Sequence, residues 1–186
     1  MLAVDAELKP LVPRARAGEP DAWDRLFRRY QLPLFSYVHE LVRQEQPSLD
    51  IVQETFINAV RHLGSLRDDA KFGSWLFGIA HQKCAQHWRK QGRERRFIEA
   101  DREPPEDWPG PDDDPSELLI RAEQEEEFMA ALNQLPPPHR SVFLLHCLED
   151  LPLEEIAAIT GVPLGTVKSR LHYAKKMLRQ LLEEET

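Results

Sequence analysis

Apolar residues in the first half of the chain recur at intervals of three and four, which predicts three amphipathic helices. The helices cover residues 23–42, 51–63 and 72–88, and Pro33 kinks or interrupts the first of them. A loop over residues 64–71 precedes the third helix. The expected inward faces are Trp23, Leu26, Phe27, Tyr30, Leu34, Val38, Leu41 and Val42 in the first helix and Ile51, Val52, Thr55, Phe56, Ala59, Val60 and Leu63 in the second.

The second half of the chain has the same helical periodicity in four segments. Three consecutive prolines at 136–138 end the first segment, and a turn at 161–163 separates the last two. We expect Ser48 or Asp50 to cap the second N-terminal helix and Thr166 to cap the last C-terminal one. Sustained strand alternation is missing from the sequence, so the predicted fold class is all-α. The four segments are residues 118–135, 139–147, 153–160 and 166–182.

Charge divides the chain into three parts, although the total of −8 hides the division. Residues 1–98 contain 16 basic and 12 acidic side chains, residues 99–135 contain 2 and 13, and residues 136–186 contain 6 and 7. Within the middle part, residues 99–117 hold five of the fifteen prolines and lack apolar periodicity. Because such a composition buries too little surface to fold, we expect residues 98–117 to be an acidic, proline-rich linker.

Two small helical domains, residues 1–97 and 118–186, are expected on either side of this linker. Neither contains an apolar stretch approaching the roughly 20 residues of a membrane helix, and residues 1–16 lack the apolar segment of a signal peptide. We therefore expect a cytoplasmic protein with no membrane insertion. Cys84 and Cys147 are too few for a disulfide framework, which fits a reducing compartment.

The sequence offers no pattern that indicates an enzyme. It contains no glycine-rich phosphate loop, no nucleophile motif and no paired carboxylates in a recognisable site. His81, Cys84 and His87 spread over about 120° of a helix, which is a poor arrangement for one tetrahedral ion. We expect no metal, no cofactor and no catalytic activity.

A helix-turn-helix is the strongest signal in the second domain. Ala157 is small where two helices approach, Gly161 lies at a turn that favours positive φ, and Val167 packs back between the helices. An ordinary helical hairpin with a basic exposed face is the alternative, but this combination favours a recognition helix in the DNA major groove. That helix should bury Val167, Leu171, Ala174 and Leu178 and present Thr166, Lys168, Ser169, Arg170, His172, Tyr173, Lys175 and Lys176 to DNA.

Two motifs in the first domain extend this interpretation. One is Asp-Ile-Val-Gln-Glu-Thr-Phe at 50–56, and the other is Phe-Gly-Ser-Trp-Leu-Phe-Gly-Ile-Ala at 72–80, followed by Trp-Arg-Lys at 88–90. Together with Gly-Thr-Val-Lys-Ser-Arg-Leu-His at 165–172, they resemble bacterial RNA polymerase sigma factors of the extracytoplasmic-function group over almost the whole chain. The resemblance implies a factor that binds core RNA polymerase and directs promoter recognition and transcription initiation.

The resemblance also implies a role for each domain. The first would bind the clamp coiled coil of polymerase and read the minus-ten promoter element, and the second would read the minus-thirty-five element and touch the polymerase flap. Asp50, Gln53 and Glu54 match the positions that face polymerase, and their spacing places them near one helix face. A solvated acidic helix is the alternative interpretation of these three residues.

Promoter melting requires bases to leave the duplex stack and to be held by aromatic side chains and cations. The loop before the third helix, the start of that helix and its C-terminal end offer such groups. Core packing is the alternative for Phe72 and Trp75, because their spacing with Leu76 and Ile79 suits a buried face. The candidates for the minus-ten element are Ser65, Arg67, Lys71, Phe72, Trp75, His81, Gln82, Trp88 and Arg89.

The chain departs from the family pattern at several positions. Gly73 and Gly78 stand where arginine is frequent in the family, Gln82 stands where asparagine is frequent, and Tyr173 replaces a common arginine. These changes leave the predicted fold intact and bear on which promoter sequence is recognised.

The resemblance implies three partners, which are core RNA polymerase, promoter DNA and an anti-sigma factor, and we expect the free protein to be a monomer. The alternative is a stand-alone helix-turn-helix regulator that binds duplex operators as a dimer. That alternative leaves the motifs at 50–56 and 72–90 unexplained. It also requires a dimer interface, for which the sequence pattern offers no spare apolar stripe.

Overall fold

The computed structural model describes residues 10–90, 125–147 and 149–184, and these segments form eight α-helices and two short 3-10 turns. No β-strand occurs in these segments, which confirms the all-α prediction. The predicted linker, residues 98–117, lies outside the described residues. The helices are α1 (Leu11–Arg16), α2 (Pro20–Val42), α3 (Glu45–His62), α4 (Phe72–Lys90), α5 (Glu125–Gln134), α6 (Pro137–Cys147), α7 (Leu153–Thr160) and α8 (Leu164–Glu184), and the 3-10 turns, Leu63–Ser65 and Asp69–Lys71, lie between α3 and α4.

Helices α1 to α4 pack around one core because each buries an apolar face. The longest of them, α2, contacts α1, α3 and α4, and its Tyr37 ring meets Phe77 of α4 edge-on at 5.4 Å between centroids. Pro33 lies inside α2 without ending it, so the predicted interruption does not occur. The neighbours Tyr30 and Leu34 are buried, and this packing holds the helix together where the proline lacks its N–H.

Two helices begin earlier than the predicted caps. Helix α3 starts at Glu45, and the buried Ser48 hydroxyl donates to the Gln44 carbonyl at 2.7 Å within the first turn. Helix α8 starts at Leu164, so Thr166 lies inside it. The predictions that Ser48, Asp50 and Thr166 act as caps are therefore wrong, because polar side chains near a helix start also bond to carbonyls within the helix.

Helices α5 to α8 form a second group in which α8 packs against α5, α6 and α7. The Phe128 and Phe143 rings join α5 to α6 at 6.3 Å between centroids. The two groups share a continuous buried core, since α7 packs against α4 and α6 packs against α2. None of the helices in the described segments is both long enough and apolar enough to span a membrane.

Candidate polymerase and DNA interfaces

An apolar groove of about 620 Å³ opens between α2 and α3. Five large apolar side chains on its surface, Phe27, Leu32, Leu49, Ile57 and Val60, are between 41% and 69% exposed. A contiguous exposed apolar surface of this kind marks an interaction site.

Sequence reasoning missed this groove. It assigned Phe27 and Val60 to core faces and found no spare apolar stripe, and both interpretations are wrong. The apolar arc of each helix is wider than the surface its neighbours cover, so the Phe27 ring lies in the groove and packs on Phe56 at 4.8 Å between centroids. The sequence does contain a signal for the groove. Helices α2 and α3 have more apolar positions than their core faces need, and Leu32 and Leu49 lie outside the predicted faces.

The three residues predicted to face polymerase lie exposed on α3 beside this groove. Gln53 lines the groove, and Asp50 accepts a hydrogen bond from Gln46 at 3.1 Å. The Glu54 carboxylate accepts a hydrogen bond from Lys83 Nζ at 2.7 Å, and this bond holds the pKa of Glu54 below its ordinary value. The structure therefore places the acidic candidates and the apolar groove on one continuous helix surface.

The segment between α3 and α4 carries three candidates for the minus-ten element. Ser65, Arg67 and Lys71 are all exposed, although the Ser65 hydroxyl also donates to the His62 carbonyl at 2.8 Å. Arg16 of α1 positions this segment by donating a hydrogen bond to the Leu66 carbonyl at 3.2 Å. The segment thus presents cations from a backbone that is anchored to the helical domain.

Phe72 at the start of α4 belongs to the core. Its side chain is 2% exposed, and its ring packs against Tyr30 at 5.4 Å and Trp23 at 6.4 Å between centroids. Gly73 lies beside it, and a Cβ there would lie 3.1 Å from the Tyr30 hydroxyl, so the Tyr30 ring would have to shift by a few tenths of an ångström to admit a side chain. Trp75 is half-buried against Phe72, at 5.9 Å between centroids, so part of its ring remains open to a ligand. The burial favours the core-packing interpretation for Phe72.

His81 lies buried in the middle of α4, at 7% exposure. Its Nδ1 is 2.8 Å from the Tyr37 hydroxyl, in a hydrogen bond that ties α4 to α2. Burial and, to a smaller extent, the positive charge of Arg170 together lower the pKa of His81 to about 4. The imidazole is therefore neutral at neutral pH, and in this conformation it offers no surface to DNA.

The remaining candidates on α4 lie closer to solvent. Gln82 and Arg89 are exposed, and Trp88 is half-buried with its ring 6.4 Å from that of His87. Of the nine residues predicted for the minus-ten element, Phe72 and His81 are the two that the structure buries.

Helices α7 and α8 have the predicted helix-turn-helix geometry. Gly161 ends α7 with φ +72°, in the left-handed region, and its N–H donates to the Ala157 carbonyl at 2.9 Å. Val167 is completely buried, as expected for the apolar residue that packs back between the helices. The predicted inner face of the recognition helix is confirmed, since Leu171, Ala174 and Leu178 are also buried.

The outer face of α8 carries the residues predicted for the minus-thirty-five element. Tyr173 and Lys176 are exposed, and the Tyr173 ring packs at 4.8 Å from His139 between centroids. The Ser169 hydroxyl donates to the Thr166 carbonyl at 3.0 Å. Thr166, Lys168, Ser169, His172 and Lys175 are half-buried.

Arg170 differs from the other residues of this set because its side chain is only 7% exposed. It lies close enough to His81 of α4 for its charge to lower the pKa of that imidazole. In this conformation Arg170 therefore faces the N-terminal helices and not solvent.

The described residues contain no group of three or more His, Cys, Asp and Glu side chains that could hold a metal ion. Cys84 is completely buried, and burial raises the pKa of its thiol to about 12. Cys84 and Cys147 are not joined in a disulfide.

Comparison with known families identifies both halves of the chain. Residues 26–94 match the family described as Sigma-70 region 2, and residues 125–178 match Sigma-70, region 4. The first match covers most of α2, all of α3 and all of α4, and the second covers α5 to most of α8. The groove therefore lies in region 2, and the helix-turn-helix lies in region 4.

Named relatives agree with this assignment. The chain is 31% identical to the RNA polymerase sigma-H factor of Pseudomonas aeruginosa, over 93% of this chain and 92% of the relative. It is 32% identical to the ECF RNA polymerase sigma-E factor of Escherichia coli (strain K12), over 90% of each chain. The solved complex of the sigma factor RpoE with the anti-sigma factor NepR from Bartonella quintana contains a chain with the same fold, at a TM-score of 0.62 and 24% identity, covering 86% of this chain and 97% of that one. The chain belongs to the extracytoplasmic-function group of RNA polymerase sigma factors, which direct promoter recognition and transcription initiation.

Proposed function

We propose that the α2–α3 groove, with Asp50, Gln53 and Glu54 beside it, is the surface that binds the clamp of core RNA polymerase. The observation that carries this proposal is the exposed apolar surface of the groove, which lies within the Sigma-70 region 2 match. Burial of such apolar side chains supplies binding free energy, whereas the adjacent carboxylates supply orientation and a faster association rate. The hydrogen bond from Lys83 holds the Glu54 carboxylate in the position from which it contacts polymerase.

The minus-ten element is read, in this proposal, by the segment before α4 and by the exposed positions of α4. Arg67 and Lys71 track the strand backbone, and Trp75 supplies a stacking surface worth about 1–3 kcal/mol per base. Gln82 contacts a displaced base, and Trp88 with Arg89 contacts the edge of the duplex. Phe72 acts indirectly, because its core packing fixes the position of Trp75.

The minus-thirty-five element is read by the outer face of α8 in the major groove. Ser169, Tyr173 and Lys176 follow one another at helical spacing on this face, and such residues contact base edges or phosphates. Lys168 and Lys175 flank them and position the helix on the phosphate backbone. Arg170 joins this set only when α8 is separated from α4.

The protein acts as a binding factor and not as a catalyst, and it works in the cytoplasm, where its polymerase is. Domain boundaries at residues 1–97 and 118–186 assign polymerase binding and minus-ten recognition to the first domain and minus-thirty-five recognition to the second. An anti-sigma factor is the expected regulator, by analogy with the relative RpoE, which is bound to NepR.

Ile57→Asp tests the groove directly, because Ile57 is 41% exposed and its replacement leaves the core intact. We expect the variant to bind core polymerase at least about a hundredfold more weakly than the natural chain, as for other central apolar contacts. Ser36→Asp is the matched control, since Ser36 is exposed on α2 and does not line the groove. Fluorescence anisotropy of the labelled chain gives both affinities.

Two results would overturn the proposal. One is unchanged polymerase affinity of Ile57→Asp, and the other is failure of the natural chain to bind core polymerase. Tight, sequence-specific complexes of the free chain with duplex DNA would instead support the stand-alone regulator.

A further inference from the structure

Helix α1 precedes the residues that match Sigma-70 region 2, and it packs on α2. Its apolar face is buried, since Leu11, Val12 and Ala15 are between 1% and 3% exposed. The indole N–H of Trp23 on α2 donates to the Ala15 carbonyl at 3.0 Å, which fixes the end of α1 on α2. A polar side chain at that end is therefore held in a defined place relative to the domain.

Arg16, the last residue of α1, reaches the segment between α3 and α4 (residues 63–71). One guanidinium nitrogen, Nη2, donates to the Leu66 carbonyl at 3.2 Å and to the Asp69 carboxylate at 2.5 Å. Leu66 follows the first 3-10 turn of the segment, and Asp69 begins the second. Arg16 therefore fixes both turns to α1, and with them the backbone from which the three minus-ten candidates of this segment project.

The charges of the 63–71 segment are arranged so that its carboxylates are bound within the protein. Asp68 accepts a backbone hydrogen bond at 3.0 Å, whereas Asp69 pairs with Arg16. The cations Arg67 and Lys71 are exposed. An unpaired carboxylate beside them would repel phosphate, so the pair with Arg16 makes the segment more favourable for a nucleic-acid strand.

We propose that Arg16 is a positioning residue for minus-ten recognition, which holds the 63–71 segment in its base-reading conformation and offsets the charge of Asp69. Arg16 acts through the Leu66 carbonyl and the Asp69 carboxylate, and the bases contact other side chains. Loss of Arg16 lets the segment move, and small displacements of the groups that orient a ligand weaken the steps that depend on them. The proposal rests on the proposed function for the assignment of the minus-ten element to this segment.

Arg16→Met tests this role in the full chain, because methionine keeps much of the side-chain length and removes both contacts. Arg14→Met is the matched control, since Arg14 is also on α1 and 41% of its side chain is exposed, against 34% for Arg16. The ion pairs of Arg14 join Glu19 and Asp21 near the start of α2. Asp69→Ala removes the Arg16 pair from its other side, and the double variant should be no worse than Arg16→Met alone.

Amide exchange measures the positioning in the free chain. The backbone N–H groups of Leu66, Ala70 and Lys71 donate hydrogen bonds within the segment, so they exchange when it opens. We expect Arg16→Met to speed exchange in residues 63–71 at least about threefold, as for the loss of a partly exposed ion pair, and Arg14→Met to leave it unchanged. Equal rates in the natural chain and in Arg16→Met would overturn the proposal.

Transcription by core polymerase from a genomic fragment library measures the consequence for promoter recognition. The readout is the ratio of starts at promoters with the preferred base to starts at promoters with other bases, for each minus-ten and minus-thirty-five position. We expect Arg16→Met to lower the minus-ten ratios at least about threefold and to leave the minus-thirty-five ratios and the polymerase affinity within about twofold. A loss of transcription that is equal at all positions would indicate a general structural role and contradict the proposal.

Replacement of the two cations, Arg67→Ala with Lys71→Ala, separates this proposal from the function on which it rests. If that variant keeps the minus-ten ratios of the natural chain, the segment does not read this element, and the proposed function fails for it together with the positioning role. The exchange rates still show whether Arg16 holds the segment. If the cations matter and Arg16→Met keeps every ratio, the positioning role alone is wrong.

Discussion

Helices α3 and α4 are neighbours in one domain, yet one presents an open surface and the other a covered one. On α3, Leu49, Ile57 and Val60 are between 41% and 56% exposed along the groove. On α4, His81 is 7% exposed and Gly78 faces Ile159 of the second domain. The difference teaches that two neighbouring helices carrying predicted binding residues can differ in how much of their surface the rest of the chain covers, which the spacing of apolar residues does not reveal.

Substitution should distinguish the roles of two aromatic side chains on α4, Phe72 and Trp75. Phe72→Ala removes a core ring, so we expect the free energy of unfolding to fall by about 3–5 kcal/mol. Trp75→Ala removes a half-buried ring and should lower stability less, while it reduces promoter melting in the presence of polymerase. Denaturant unfolding and permanganate reactivity of the promoter measure the two effects. Equal stability losses would show that Trp75 belongs to the core as much as Phe72 does.

Substitution of Arg140 tests the polar contact between α6 and the end of α2. Arg140→Ala leaves the Glu40 and Leu135 carbonyls without their donor, so we expect the free energy of unfolding to fall by about 2–3 kcal/mol. Arg43→Ala, at an exposed position, should lower it by less than about 1 kcal/mol. Thermal unfolding followed by circular dichroism compares the two variants, and a larger effect at Arg43 would contradict the assignment.

Acid should destabilise the fold through His81. Burial and the charge of Arg170 lower the pKa of His81 to about 4 in the folded chain, whereas its ordinary value is 6.5, so the unfolded chain binds the extra proton more readily. The free energy of unfolding is therefore highest above pH 6.5 and falls as the pH falls toward 4. The hydroxyl of Tyr37 on α2 contacts Nδ1 of this imidazole.

Urea unfolding across this pH range, on the natural chain and on His81→Gln, measures this dependence. Glu149, whose pKa burial raises to about 7, titrates in both proteins, so the difference between them isolates His81. Identical pH profiles would contradict a lowered pKa at His81.

The smallest expected effect is a difference in thiol reactivity between the two cysteines, which reports how well α4 is covered. Burial raises the pKa of Cys84 to about 12, so native chain should react with a thiol reagent at Cys147 alone. Mass spectrometry after brief alkylation distinguishes the two sites, and Cys147→Ser should abolish the native reaction. Rapid labelling of Cys84 in the folded chain would show that α4 is less well covered than the structure indicates.

Sequence reasoning succeeded where the determining contacts are local. The helix-turn-helix follows from Gly161, Val167 and the periodicity of α8, all within one short stretch, and the structure has this geometry. The order of the helices was also predictable, because apolar residues recur at helical spacing within each of these segments.

Sequence reasoning failed where the determining contacts join distant segments. Arg170 has the sequence context of a DNA-contacting residue, yet its side chain is only 7% exposed and its charge acts on His81 of α4, which is far away in sequence. Periodicity likewise assigns Phe27 and Val60 to a core face, because it records the apolar arc of a helix but not how much of that arc a neighbour covers.

The covered Arg170 has a consequence for how the free protein travels through the cell. Proteins that present a basic recognition surface bind any duplex, slide along it and hop between segments. Because this chain has a net charge of −8 and a covered arginine, we expect phosphates to repel it on average and its residence on non-specific duplex to be short. Its search for polymerase is then free diffusion in three dimensions, and the number of copies can rise without the genome acting as a sink for them.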